Sequence, residues 1–343
     1  MATAQVRPPE PVALDERLAD ADSDELIAEI EARVQRNQRG RTARVEAEIV
    51  ALRHLLGMRR MAASDGAAEF PEPDEAALAP FDGALPEISR EALTPQLLRA
   101  AILRDGCLLV RGLIDPAAAL ALAQGIDRGF DLRDQAEARG VDTGGYYQPF
   151  EPRPDAGEPI ERSWIKMGGG LLAADSPRLC FDLLELFRAA GLPALVQGYL
   201  GEPGLLSAQK TTLRKAMPAV AGAWHQDGRF LGPVRSLNVW LSLSRCGDVA
   251  PGLDVVPRRL GLVTTQTDEA MLDYQVSQRV AQESAGERPI VRPIFEPGDA
   301  LLFDELCLHK TGSDPDMPHP RYAVESWFFG GGAFPREYAP VAV

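Results

Sequence analysis

From Ser23 to about residue 60 the apolar positions fall at helical spacing: Leu26, Ile30 and Val34, then Val45, Ile49, Leu52 and Leu56. Positions three or four residues apart share one face of an α-helix. Ser23 reads as a helix N-cap, and the polar run Asn37 to Thr42, with Gly40 inside it, reads as a break or weak point. Residues 1–22 carry few apolar anchors and are expected to lack fixed structure. Residues 63–87, rich in Ala, Pro, Asp and Glu, read as a linker. Ordered signals resume with Thr94-Pro95, which opens a short helix through Arg104 with proline at its first position. Gly106 to Gly112 then reads as a strand bounded by glycines, and Asp115-Pro116 starts a helix to about Arg139. Residues 140–177 are irregular and include Gly144-Gly145-Tyr146-Tyr147 and Gly168-Gly169-Gly170. A segment of that kind is a lid, a binding loop or an ordinary surface excursion. Residues 178–200 carry two helical patterns split at Gly191-Leu192-Pro193.

After residue 205 the period shortens to two. Leu205 to Ala216, Trp224 to Phe230, Ser236 to Leu243, Asp254 to Val256, Ile290 to Arg292, Ala300 to Phe303, Cys307 to Lys310 and Tyr322 to Phe329 read as strands. Pro297-Gly298-Asp299 is a turn signal, and the polar residues 260–288 read as a helical insertion. Many short strands joined by Gly/Pro turns indicate a sandwich or barrel. The expected organisation is an N-terminal disordered and helical extension (1–62), a linker (63–87) and a β-rich domain with flanking helices (88–335).

Composition adds exclusions. With 45% hydrophobic residues in 343, the chain can bury a sizeable core. A net charge of -14 argues against nucleic acid or an anionic membrane as a general partner, because both need surfaces rich in Lys and Arg. The charge is segregated near the N-terminus: residues 15–31 hold eight acids and one arginine, residues 33–60 eight arginines and two glutamates. The two halves can pair as an antiparallel hairpin or with a second copy of the chain, which makes a homo-oligomer through these helices one expectation. Cys107, Cys180, Cys246 and Cys307 are far apart and form no C-x-x-C, so reduced, mostly buried thiols are expected. No signal-peptide pattern and no apolar run of membrane-spanning length is present, and the expected location is cytoplasmic.

Candidate chemistry concentrates in Trp224-His225-Gln226-Asp227-Gly228. On an extended strand His225 and Asp227 share a face, with Gln226 on the other. Two ligands at that spacing can grip one side of a metal ion, and a distant third completes a two-histidine, one-carboxylate triad. His309 is the candidate, in Leu308-His309-Lys310-Thr311-Gly312; the remaining histidines, His54 and His319, have no ligand-like setting. His309 lies 82 residues after Asp227, and Arg321 follows 12 residues later in Arg321-Tyr322-Ala323-Val324-Glu325-Ser326-Trp327.

This order, H-x-D, then His, then Arg in a strand-rich region, resembles the iron(II)/2-oxoglutarate dioxygenases, and within them the phytanoyl-CoA dioxygenase family. The helix, strand, helix opening after residue 94 resembles that family too, so the likeness covers roughly residues 90–335. It implies a double-stranded β-helix (a jelly roll, cupin-like) core. Zinc takes the same ligand types; the resemblance selects iron(II), with 2-oxoglutarate as cosubstrate and molecular oxygen. It further implies that His225, Asp227 and His309 bind metal and carry catalysis. Arg321 and Thr311 would hold the far carboxylate of 2-oxoglutarate, a planar guanidinium fork suiting a carboxylate, with Thr212 and Lys210 as further cosubstrate contacts. Trp164, Lys166, Gln226 and Trp240 are the expected contacts of a small-molecule substrate. The expected outcome is hydroxylation with release of succinate and carbon dioxide; the alternative is a catalytically silent metal-binding or assembly protein. Halogenases of this type commonly replace the carboxylate ligand with a small residue, which Asp227 argues against. One departure falls on the substrate side: relatives read Asn-Gly-x-Leu-x-x-x-Pro-Gly-Ser-His where this chain has Ala250-Pro251-Gly252-Leu253-Asp254-Val255-Val256-Pro257-Arg258-Arg259.

Overall fold

The computed structural model describes residues 14–153, 160–218, 222–232, 234–261 and 274–343. Its helices are α1 (Ser23–Arg39), α2 (Ala43–Ala63), α3 (Pro95–Asp105), α4 (Pro116–Arg139), α5 (Ser163–Met167), α6 (Pro177–Ala189), α7 (Leu192–Leu200), α8 (Gly228–Leu231) and α9 (Gln278–Ala285). Its strands are β1 (Glu87–Ser89), β2 (Cys107–Arg111), β3 (Gly170–Leu172), β4 (Leu205–Ser207), β5 (Thr212–Ala216), β6 (Trp224–His225), β7 (Ser236–Ser242), β8 (Gly252–Val255), β9 (Gln275–Val276), β10 (Ala300–Phe303), β11 (His309–Gly312), β12 (Arg321–Phe329) and β13 (Pro340–Ala342). Among the described residues helix outweighs strand, 42% against 19%. "Mainly β" therefore describes the core around the site and not the chain as a whole.

Two sheets face each other as a double-stranded β-helix. The larger runs β1-β2-β10-β7-β12; the free edge of β12 pairs with β5 along its first half and with β4 at its end, and β3 and β13 extend these. The smaller runs β8-β11-β6-β9. Strand alternation divides the larger sheet's side chains between two cores. Leu109, Trp240, Leu301, Phe303, Ala323 and Trp327 point towards the smaller sheet, where they meet Leu253 and Val255. Leu108, Val110, Val239, Leu302, Val324 and Phe328 point away and pack under α3, α4, α6 and α7.

Local chemistry sets several boundaries. Thr94 and Asp115 accept from the backbone N–H groups of Leu97 and Ala118, capping α3 and α4, each of which has proline in its first turn. Gly191, at φ 73°, makes the sharp junction between α6 and α7 that the sequence marks. Asp22, rather than Ser23, caps α1, in a reciprocal capping box with Glu25.

The N-terminal region differs from the sequence expectation. α1 and α2 form an antiparallel hairpin: Arg33 bridges Glu29 and Glu48, and buried Asn37 reaches Glu46. The segregated charges are therefore satisfied within one chain. The hairpin is no detachable extension. Val50 joins the main core, Leu52, Leu55 and Leu56 pack with Ala342, and Gly57 lies so close to the Pro340 carbonyl that a Cβ would collide with it. The stretch expected to be a linker is also packed down: Phe70 stacks edge-on with Tyr199 at 5.2 Å and carries Arg99 at 4.0 Å, and Arg235 donates to the Ala68 carbonyl. Composition alone reads as a linker because its alanines and prolines reveal nothing about distant partners.

Other strands are shorter than expected. Leu205 to Ala216 is two strands, broken where Ser207 Oγ accepts from the Lys210 N–H and Thr211 Oγ1 donates to the Ser207 carbonyl. Around Ile290 to Arg292 the sheet contact shrinks to an isolated bridge, Val255 to Val291. Of the insertion expected over 260–288, α9 is helical, and residues 262–273 lie outside the described residues. All four cysteines are free and buried. Among the described residues no helix is long and apolar enough to cross a membrane.

Candidate metal centre

β6 and β11 pair antiparallel with His225 directly opposite His309, and the two imidazole rings lie 4.5 Å apart. Asp227 reaches them by a route the sequence does not suggest. β6 ends at His225, and Asp227 has αR geometry (φ -64°, ψ -22°) at the start of α8. A strand-to-helix turn, and not strand alternation, thus brings its carboxylate round. One ligand atom from each of His225, Asp227 and His309 lies within 4.8 Å of the others, and His309 Nε2 is 3.7 Å from Asp227 Oδ2. Among the described residues this is the one such cluster.

Both imidazoles are held by a backbone carbonyl on the Nδ1 side. His225 Nδ1 lies 2.9 Å from the Ala223 carbonyl, and His309 Nδ1 lies 3.1 Å from the Cys307 carbonyl. A carbonyl only accepts, so each Nδ1 donates, which leaves Nε2 as the nitrogen available to a ligand. Two imidazole nitrogens from paired strands and one carboxylate from the turn into α8 form the donor set that suits iron(II) with positions left open. The residues therefore fit the metal that the sequence implies.

Gln226 points the other way. It is 3% exposed and donates from Nε2 to the Leu306 carbonyl at 2.7 Å, tying β6 to the approach of β11. Its visible role is to hold His225 and His309 in register rather than to meet a substrate.

The interior face of β12 carries Arg321, Ala323, Glu325 and Trp327. Arg321, 2% exposed, crosses the barrel to donate from Nη1 to the Gly252 carbonyl on β8 at 3.0 Å. Gly252 and Leu253 pair with Gly312 and Thr311 on β11, so Thr311 and the Arg321 guanidinium lie at the same end of the β8–β11 pair. Burial lowers the pKa of Arg321 from the ordinary arginine value. Among the described residues its Nε has no hydrogen-bond partner, and the same is true of Trp240 Nε1, whose ring lies 5.3 Å beneath the guanidinium carbon. Two orphaned buried donors side by side cost free energy unless an acceptor arrives, and a carboxylate supplies one. Trp240, expected at the substrate, therefore stands on the Arg321 side of the cavity.

Thr212 lies opposite Glu325 on β5 and is buried, whereas Lys210 sits in the turn before β5, its ammonium 4.9 Å from the Phe230 ring and 5.4 Å from that of Tyr338. Phe230 and Tyr274 flank His225 at 6.5 and 6.3 Å, and Phe303 flanks His309 at 4.9 Å. Burial, with Glu337 and Asp227 near it, pushes the Tyr338 phenol up to about 12. Trp164 is 66% exposed, and Lys166 is engaged by Glu137 and Asp134 on α4, so no contact brings these two to the triad. Arg258 and Arg259, where relatives have Gly-Ser, serve the framework: Arg259 pairs with buried Asp304, and the Arg258 carbonyl backs Gly106.

Glu325 is the residue that sequence reading missed. It pairs with Arg214 at 3.0 Å, and Arg214 also donates to the Gly168 carbonyl after α5. Burial alone would raise its carboxyl, but Arg214 and Arg321 hold it below the usual range. The alternation Arg321-x-Ala323-x-Glu325 contains the signal, since it puts an acid on the same face as the buried arginine.

Fold and site together define an iron(II)/2-oxoglutarate-dependent oxygenase of the dioxygenase type. The sequence matches the description "Phytanoyl-CoA dioxygenase (PhyH)" over residues 102–314, which includes His225, Asp227, His309 and Thr311 and ends just before Arg321. The chain belongs to the phytanoyl-CoA dioxygenase family, whose cofactors are iron(II) and 2-oxoglutarate. No curated protein matches it. Among solved structures it is similar to AviO1 from Streptomyces viridochromogenes Tue57, at 21% identity over 68% of this chain and 94% of that one, TM-score 0.45. It is also similar to EctD from S. alaskensis with 2-oxoglutarate and 5-hydroxyectoine, at 18% identity over 78% and 85%, TM-score 0.47. A third is the epimerase SnoN in complex with Fe3+, alpha ketoglutarate and nogalamycin RO, at 17% identity over 68% and 83%, TM-score 0.44.

Proposed function

We propose that the protein hydroxylates a small molecule at an iron(II) centre held by His225, Asp227 and His309, with 2-oxoglutarate consumed and succinate and carbon dioxide released. The observation that carries this reading is the juxtaposition of the triad with a buried, unpaired arginine in one barrel. Bound there, iron(II) supplies the activation of oxygen at the expense of 2-oxoglutarate. The chain's own residues position and enclose. Arg321 and the Trp240 indole N–H receive the far carboxylate of 2-oxoglutarate, and Thr311 adds a neutral donor. Thr212 lines the same wall. Gln226 and the carbonyls of Ala223 and Cys307 hold the ligand side chains in one orientation, and Phe303 and Trp327 keep the inner wall dry. Glu325 pairs with Arg214, which leaves Arg321 without an ion pair among the described residues. Four reduced cysteines accord with a cytoplasmic setting.

The test is succinate release by the iron-loaded protein with 2-oxoglutarate and a panel of small molecules. Substrate-dependent succinate, lost in His309→Ala, is the expected result. A protein that binds iron and 2-oxoglutarate and never forms succinate would favour the silent binding protein instead.

A further inference from the structure

Several cations around the barrel come with anions. Arg214 has Glu325, Lys215 has Asp127, Arg235 has Glu202, Lys310 has Asp254 and Lys166 has Glu137. Arg321 is one exception, explained above by the cosubstrate. Lys210 is another. It is half-buried, its backbone N–H is fixed by Ser207 Oγ at 3.0 Å, and among the described residues no carboxylate pairs with its ammonium. Two aromatic faces surround it instead, Phe230 and Tyr338. These rings belong to the wall beside the metal ligands. Phe230 lies 4.9 Å from Tyr274, and both flank His225. At the His309 end Phe303 is 1% exposed and closed in; at the His225 end Phe230 stays 39% exposed although it adjoins the triad. An exposed ring beside a catalytic centre, roofed by an unneutralised ammonium, is arranged for a ligand with a flat apolar part and a negative charge.

We propose that Lys210, Phe230, Tyr274 and Tyr338 form the substrate subsite, and that the substrate is a small carboxylate whose flat apolar body lies among the three rings while Lys210 binds its anionic end. This deepens the oxygenase reading and rests on it, and it moves Lys210 from the cosubstrate to the substrate. Two anions are then sorted by two cations: the planar fork of Arg321 inside the barrel takes 2-oxoglutarate, and the flexible point charge of Lys210 at the rim takes the substrate.

The test uses anaerobic iron(II) protein saturated with 2-oxoglutarate, with phenylacetate and the neutral phenylacetamide as probes in calorimetric titrations. Wild type is expected to bind phenylacetate at least about tenfold more tightly than the amide, as loss of one charge-assisted hydrogen bond implies. Lys210→Met should erase that preference while leaving amide affinity unchanged, Lys210→Arg should restore it, and Phe230→Ala should weaken both probes. Equal binding of the two probes to wild type, no phenylacetate binding up to about 20 mM, or a preference that survives Lys210→Met overturns the proposal. So does a Lys210→Met variant that loses 2-oxoglutarate instead. Failure of wild type to bind 2-oxoglutarate at all counts against the oxygenase reading; the probe titrations, repeated without 2-oxoglutarate in an Arg321→Met background, then decide Lys210 separately.

Discussion

Arg321→Met separates two consequences of one buried charge. Arg321 is 2% exposed, donates to the Gly252 carbonyl at 3.0 Å and leaves Nε without a partner. An arginine stays protonated even where burial lowers its pKa. Burying a charge without a counter-ion costs several kcal/mol, and replacing it with an apolar side chain of similar reach removes that cost. Methionine, lying on Trp240, fills much of the same space. Against this, the Gly252 carbonyl loses a hydrogen bond, about 1 kcal/mol, and Glu325 loses one of the two arginines that hold its carboxyl down. The protein without cosubstrate is therefore expected to gain about 1–3 kcal/mol, which raises Tm by roughly 1–4 °C. Cosubstrate binding moves the opposite way. Removing the guanidinium deletes at least one charge-assisted hydrogen bond to the far carboxylate, about 1.5–3 kcal/mol, or ten- to hundredfold in Kd. Arg321→Lys, which keeps the charge and loses the fork, should fall between wild type and Arg321→Met in 2-oxoglutarate affinity and leave iron binding unchanged. Thermal melts with and without 2-oxoglutarate, alongside direct titration, read both effects. An Arg321→Met protein that melts below wild type when free and binds 2-oxoglutarate normally would refute the reasoning.

Three further outcomes follow from the same contacts. Asp227 makes no side-chain cap bond to α8, so Asp227→Ala should leave the fold intact and abolish turnover; circular dichroism beside succinate release checks this, and near wild-type turnover would remove Asp227 from the ligand set. A chain beginning at Leu85, which the sequence presents as a self-sufficient domain, is expected to misfold. It lacks Val50, Leu52, Leu55 and Leu56, each worth about 1.5–3 kcal/mol when buried, and a soluble, cooperatively melting product would contradict that. Burial, with Asp304 beside it, pushes the Glu305 carboxyl up to about 7. A carboxyl raised on folding binds protons more tightly in the native state, so wild type loses stability as pH rises from about 4.5 through 7. Glu305→Gln should then be more stable than wild type at pH 8 by about 1–3 kcal/mol, with the gap closing near pH 5; urea unfolding at both pH values decides it.

The sequence exposed the chemistry more fully than the packing. His225, Asp227, His309 and Arg321 were legible because their identities and order are local facts, and α3, β2, α4, α6 and α7 because caps, prolines and glycines act on their immediate neighbours. Asp227 lies beside the two histidines, but strand alternation does not put it there: β6 stops two residues earlier than a continuous strand would. The N-terminal hairpin and the supposed linker were misjudged because what fixes them is distant in sequence, Ala342 and Pro340 for α2 and Tyr199 for Phe70. Glu325 was overlooked for a related reason. Its meaning depends on Arg214 across the β5–β12 pairing, a register that no single strand reveals.

The most direct test of the central claim is an anaerobic titration of 2-oxoglutarate into the iron(II)-loaded protein, followed by the visible charge-transfer absorption that a keto acid chelated to iron(II) produces. The account predicts a saturable band with one 2-oxoglutarate per chain, absent in His309→Ala and shifted to higher 2-oxoglutarate concentration in Arg321→Met. No band in the wild-type protein, or a band that persists when His225, Asp227 and His309 are each replaced by alanine, would contradict it.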